Sequence, residues 1–199
     1  MAGNPEAALS LSEGASKIEL VWGDIVDLDV AAVVSSSDPS LLSRTGVAGR
    51  IHVAAGPELY QQCRQLPELS SGVRCRTGSA VLTKGYRLRA HAVIHTVGPV
   101  WVPGEDDAEA SLVLADCYRS VLRLGDLLGM RSVAFPAIAC GARGFPIARG
   151  AAIAVSTVRQ ELANLMQPMS VTFVAFNREV SSAFSTVLRQ GSGEHPRSA

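Results

Sequence analysis

The sequence lacks a charge excess, long apolar runs and paired cysteine motifs, and each absence excludes a class of function. Acidic and basic residues balance at 18 each in 199 residues. A large nucleic-acid footprint or an anionic membrane surface calls for a basic excess, so neither is indicated. The opening MAGNPEAALSLSEGASK has no basic start leading into an apolar run, so it does not read as a secretory signal. No window reaches the roughly 18 apolar residues that a membrane helix needs. A cytoplasmic location is therefore expected, or a nuclear one in a eukaryote. Cys63, Cys75, Cys117 and Cys140 form no C-x-x-C pair and have no histidine cluster beside them. That pattern points away from structural zinc and toward reduced thiols; a Cys63–Cys75 pairing across a short loop stays open. No metal or cofactor is expected.

What is present is apolar residues at 47%, against 18% charged, enough for a substantial core in a chain of single-domain length. Residues 1–16 are rich in Ala, Gly and Ser and read as a flexible lead-in, residues 190–199 as a flexible tail, and 17–189 as one domain. Short β-branched runs predict strands at Ile18–Trp22, Ala31–Ser35, Ala80–Thr83, Ala92–Thr96, Ser132–Phe135 and Val171–Phe176. Apolar residues at Leu114, Cys117, Val121, Leu124 and Leu128 predict a helix from Ala110. The acids Glu105, Asp106 and Asp107 suit its N-terminal dipole, and Gly129 its C-terminal cap. Ile147, Ala151, Ala154, Val158, Leu162 and Leu165 mark a second helix, which Gly150 weakens by about 1 kcal/mol. Shorter helices are expected over Val47–Gln65, broken at Gly56-Pro57, and over Val180–Leu188. Alternating strands and helices imply an α/β fold, a sheet between helical layers.

In such folds ligands sit beyond the carboxyl ends of the strands. The clearest local chemistry there is Pro136 to Pro146, where Gly141 and Gly144 flank small residues just before a helix. Exposed N–H groups in this loop suit phosphate oxygens, and Arg143 adds charge; an ordinary strand-to-helix turn is the alternative reading. His52 and His95 lie in apolar surroundings and read as packed, hydrogen-bonded histidines. Cys140 reads as a small residue in a tight loop, with a thiol activated by nearby N–H groups as the alternative. Ser35 to Ser37 has no base near it in sequence, so small polar residues at a strand end explain it better than a nucleophile.

Several segments in order resemble the macro domain family, which binds ADP-ribose, from about Ile18 to Leu188. They are Gly23-Asp24-Ile25, the run Gly49 to Leu59, Cys75 to Ala80, Val93 to Trp101, and Ala134 to Ile138 leading into Gly144-Phe145-Pro146. The resemblance implies a three-layer α/β/α sandwich with a mixed central sheet. It implies that Asp24 accepts from an adenine amino group, that the main chain of Ile25 touches the base, and that Phe176-Asn177 borders the adenosine. It further implies that Ala139, Cys140, Gly141, Ala142, Arg143, Gly144 and Phe145 wrap the diphosphate and distal ribose, opposite Ser35, Asp38, Gly46 and Val47.

The departures lie at one wall. Hydrolytic members carry N-A-A-N, a glycine run and V-D-G, where this chain has Ser35 and Asp38 for the two Asn, Ser43-Arg44-Thr45-Gly46 for the glycines and Ala48 for the acid. In the second loop Ala139, Cys140 and Arg143 replace Ser, Thr and Tyr. Ala48 cannot orient or activate water, and Asp38 can accept from ribose but not donate. Arg44, Arg50 and Arg143 together would make the loops basic, as an anionic ligand would favour; simple solvent exposure is the alternative reading for Arg44 and Arg50. The expectation is a binding module for ADP-ribose or a related nucleotide diphosphate, free or on ADP-ribosylated protein, with little or no hydrolysis. The alternatives are an ADP-ribosyl hydrolase or O-acetyl-ADP-ribose deacetylase with a rearranged site, and an interaction scaffold that binds no nucleotide.

Overall fold

The computed structural model describes residues 9–104 and 107–191. Seven strands form one sheet: β1 (Leu9–Glu13), β2 (Ser16–Trp22), β3 (Ala32–Ser36), β4 (Ala80–Lys84), β5 (Ala92–Thr96), β6 (Ser132–Phe135) and β7 (Ser170–Ala175). Five helices accompany them: α1 (Gly46–Ala55), α2 (Pro57–Gln65), α3 (Asp107–Leu127), α4 (Ile147–Leu162) and α5 (Arg178–Gly191). The strand order is β1-β2-β7-β6-β3-β5-β4. The edge pairs β1–β2 and β4–β5 are antiparallel, and the inner pairs are parallel, so the sheet is mixed.

Alternate residues of the inner strands serve two cores, because successive strand side chains point to opposite faces. Val33, Val93, Ala134 and Val174 join Ile51 and Leu59 beneath α1 and α2. Val34, Ile94, Phe135 and Phe173 join Leu114, Val158 and Phe184 beneath α3, α4 and α5. Strands buried on both faces look continuously apolar in sequence for this reason. The result is a three-layer α/β/α sandwich.

Two boundaries depart from the sequence expectation. Leu9 to Glu13, inside the supposed flexible lead-in, is strand β1, paired with β2 from Leu9–Leu20 to Glu13–Ser16. Its Leu-Ser-Leu-Ser alternation is the period of a half-buried edge strand, and Leu9 and Leu11 pack on the core. At the other end α5 takes in Gln190 and Gly191, the first two residues of the expected tail. Residues 1–8 and 192–199 lie outside the described residues, as do Glu105 and Asp106; Asp107 is the first residue of α3. Gly129 closes α3 as expected, with Gly129 N–H donating to Asp126 and Met130 N–H to the Gly125 carbonyl at 2.8 Å.

Gly150 has a purpose that its helix position hides. A Cβ there would lie 2.7 Å from Cys140 Sγ and 3.5 Å from the Phe145 ring. Its low helix propensity is the cost of seating the Pro136–Pro146 loop against α4.

Candidate functional site

The sheet order sets the carboxyl ends of β2, β7, β6 and β3 side by side, and four segments leave the sheet in that order. They are Gly23–Asp27, Phe176–Asn177, Pro136–Pro146 and Ser37–Thr45. The residues singled out from the sequence therefore fall in one row along one edge.

At the first end, Asp24 precedes a single 3₁₀ turn, Ile25–Asp27. Asp24 Oδ1 accepts from Val26 N–H at 3.2 Å, and Oδ2 accepts from Arg50 Nε at 2.6 Å. Arg50 comes from α1, which packs on this turn through the core that Ile51 shares with Ile25 and Val26. Next in the row, Phe176 is 75% exposed, an aromatic face offered to solvent at the end of β7. Asn177 Oδ1 instead accepts from Val180 N–H at 2.9 Å and caps α5.

The loop between β6 and α4 is held from beneath. Ile138 N–H donates to the buried Tyr118 hydroxyl at 3.3 Å, and Ala139 N–H to Ser36 Oγ at 3.5 Å. Ala139 sits at φ +62°, a conformation that costs a side-chain-bearing residue about 1–2 kcal/mol. Its carbonyl accepts from Phe145 N–H at 3.0 Å, and that bond holds the bend. Among the described residues the N–H groups of Gly141, Ala142 and Arg143 have no hydrogen-bond partner. Successive free donors in a bent loop at a helix N-terminus can hold an anion. Trp101 backs this loop, its N–H donating to the Arg143 carbonyl at 2.8 Å and its ring set edge-on to Phe145. Burial pushes the Cys140 thiol up to about 11, so it has no thiolate character near neutral pH.

The opposite wall is more constrained. Asp38 turns back on its own chain, accepting from Ser40 N–H at 2.7 Å and Ser40 Oγ at 2.5 Å. Arg44 stacks over Tyr60, 4.7 Å from the ring centre. Thr45 gives α1 no side-chain cap, and among the described residues the N–H groups of Gly46 and Val47 in its first turn have no hydrogen-bond partner. Ala48, at the position of the family's acid, is buried. Arg143 reaches across from the other loop, donating to the Ser37 carbonyl at 3.3 Å.

Beneath this wall Ser35 Oγ and Ser37 Oγ lie 2.8 Å apart, and Ser37 Oγ is 3.5 Å from His95 Nδ1. His95 Nε2 meets Thr83 Oγ1 at 2.9 Å. The base missing near the serines in sequence is thus supplied across the sheet, where Ser35 pairs with His95. All of it is buried, so it is a satisfied polar chain rather than an accessible nucleophile. Burial holds the His95 imidazole down at about 3, and burial lowers His52 as well. Between about 6.5 and 3 the unfolded chain binds a proton that folded His95 does not, so stability falls as pH drops through that window. Urea melts at stepped pH should show this loss, and His95→Gln should flatten it; an unchanged slope would contradict the assignment.

The sequence reads Ser36 and Ser37 only as small polar residues at a strand end and Trp101 only as the end of a family-like segment, and it gives no role to Tyr60 or Tyr118. Tyr118 was legible only as a neighbour of Cys117 on a buried helix face, with nothing to show that its hydroxyl holds a loop. A concavity of about 260 Å³ lies between the segment that follows β5 and the start of α3, lined by Trp101, Thr77 and Val113, and does not include Asp24 or Asp38.

The Macro domain family model matches residues 34–154. The chain belongs to the macro domain family. It is 41% identical over 172 residues to a macro domain-containing protein of Xanthomonas campestris, covering 86% of this chain and 95% of that one. It is also 41% identical over 181 residues to an O-acetyl-ADP-ribose deacetylase of Salmonella gallinarum, covering 91% and 98%. Among solved structures, the Oceanobacillus iheyensis macrodomain with ADP superposes with a TM-score of 0.87 at 33% identity, covering 94% of this macro domain and 97% of that chain. Among the described residues no helix is long and apolar enough to cross a membrane.

Proposed function

We propose that this macro domain is a nucleotide reader that binds ADP-ribose, free or attached to protein, along the row from Asp24 to Gly46 with little or no turnover. The observation that carries the reading is the trio of N–H groups at Gly141, Ala142 and Arg143, unpartnered among the described residues, on a bend held at Ala139. Donors left open in this way suit a diphosphate, and Asp24 supplies an acceptor for a base at the far end of the row. The likeness to the Oceanobacillus iheyensis macrodomain with ADP supports the same ligand class. Low turnover follows from the other wall: Ala48 offers no carboxylate to direct water, and Asp38 has its Oδ1 engaged by Ser40 in its own turn.

Titration calorimetry with ADP-ribose tests binding. No heat and no change in melting temperature would leave the scaffold reading standing instead. Similarity to the Salmonella gallinarum O-acetyl-ADP-ribose deacetylase favours a second reading, a hydrolase with a rearranged site. Incubation with O-acetyl-ADP-ribose and with an ADP-ribosylated protein separates the two: release of acetate or of ADP-ribose over many turnovers would establish the enzyme.

The role given to Arg143 has its own test. Charge-assisted bonds contribute about 1.5–3 kcal/mol, so Arg143→Ala should weaken ADP-ribose roughly tenfold or more while adenosine binding hardly changes. Equal losses for both ligands would remove Arg143 from the phosphate contact.

A further inference from the structure

Asp24 does not stand alone at the base end, and its partner changes what that end can recognise. A lone carboxylate is an acceptor only; it suits a purine carrying a 6-amino donor and repels a 6-oxo group, which presents a second acceptor. In this protein Arg50 Nε holds the outer oxygen of that carboxylate at 2.6 Å. Asp24 is also the larger cause of the raised basicity of Arg50. With only Nε engaged among the described residues, the two terminal nitrogens of the guanidinium remain free, on a side chain that is 52% exposed. The pair therefore presents an acceptor, the remaining lone pairs of Asp24, and two donors side by side.

Resting on the ADP-ribose reading above, we propose that Arg50 is a specificity-determining residue that lets the base end take both 6-amino and 6-oxo purine diphosphate ribosides. A 6-amino group donates to Asp24, and a 6-oxo group accepts from an Arg50 terminal nitrogen. Neither route needs the ion pair to break. An ion pair this exposed contributes little to folding, so its removal leaves a folded protein for measurement.

The test is titration calorimetry of the full chain with ADP-ribose and with inosine diphosphate ribose. The wild-type protein should bind the two with affinities within about threefold. Arg50→Met keeps the aliphatic stem and removes the donors; it should prefer ADP-ribose by tenfold or more, mainly by losing the inosine ligand. Arg50→Lys keeps a charged donor and should stay near the wild-type ratio, a rescue that a structural role for the side chain would not give. A wild-type preference for ADP-ribose above tenfold, or an unchanged ratio in Arg50→Met, overturns the role of Arg50 and leaves the ADP-ribose reading intact. Binding of neither ligand by any variant overturns both.

Discussion

Asp24→Ala is expected to weaken ADP-ribose binding by about 1–3 kcal/mol, between about 5- and 150-fold, because a desolvated base amino group would lose its acceptor. The substitution has two local consequences that must be separated from this one. Asp24 accepts from Val26 N–H ahead of the 3₁₀ turn, and such a cap contributes about 0.5–2 kcal/mol to stability. It also pairs with Arg50, and that pair is exposed enough to matter little for folding. Asp24→Asn supplies the control: its side-chain oxygen can still cap the turn, while the charge is gone. Calorimetry on Asp24→Ala and Asp24→Asn, alongside thermal melts, assigns each part. Unchanged affinity in Asp24→Ala would show that no base amino group rests there, whatever happens to the melting temperature.

Gly49→Ala sets two effects of opposite sign against each other. Within a helix, alanine is favoured over glycine by about 1 kcal/mol. Here, however, a Cβ on Gly49 would lie 2.1 Å from the Arg44 carbonyl oxygen, and that oxygen belongs to backbone that cannot swing aside alone. Forced overpacking costs about 1–3 kcal/mol, so the clash wins. The net loss, the overpacking cost less the propensity gain, is up to about 2 kcal/mol and lowers the melting temperature of a domain this size by roughly 2–4 °C per kcal/mol. The displaced segment is Ser43–Thr45, whose anchor is Arg44 on Tyr60, so the opposite wall of the row moves with it. ADP-ribose affinity should fall alongside stability. A raised melting temperature in Gly49→Ala would mean that the loop yields easily, and the picture of a constrained wall would have to be given up.

The fold was largely legible because each inner strand and long helix declares itself within a few residues. The apolar runs from Ile18, Ala92 and Ser132 coincide with strands, and the break at Gly56-Pro57 does divide α1 from α2. The strand that escaped notice, Leu9 to Glu13, is short, half-exposed and rich in serine; only its alternation marks it, and composition pointed the other way. The candidate site was legible as a set of loops. Gly141 and Gly144 announced a bend before a helix, and the order of segments announced the family. Its interior was not legible, since the supports of that bend are a tyrosine from α3 and a serine from β3.

Short-range order in the sequence therefore determined which residues form strands and helices, which faces are apolar and where the loops fall. Those properties depend on neighbours one to four positions away. Only the tertiary structure decided the pairings that give the base end and the loops their character: Arg50 with Asp24, Arg143 with the Ser37 carbonyl, Ser37 with His95. These partners are separated by 26, 106 and 58 residues, and no local periodicity connects them. Their meeting depends on strand order and register, which place β2, β7, β6 and β3 side by side and Ser35 opposite His95. The arginines that read from the sequence as a general basic surface are, in the folded macro domain, held by particular partners across the row.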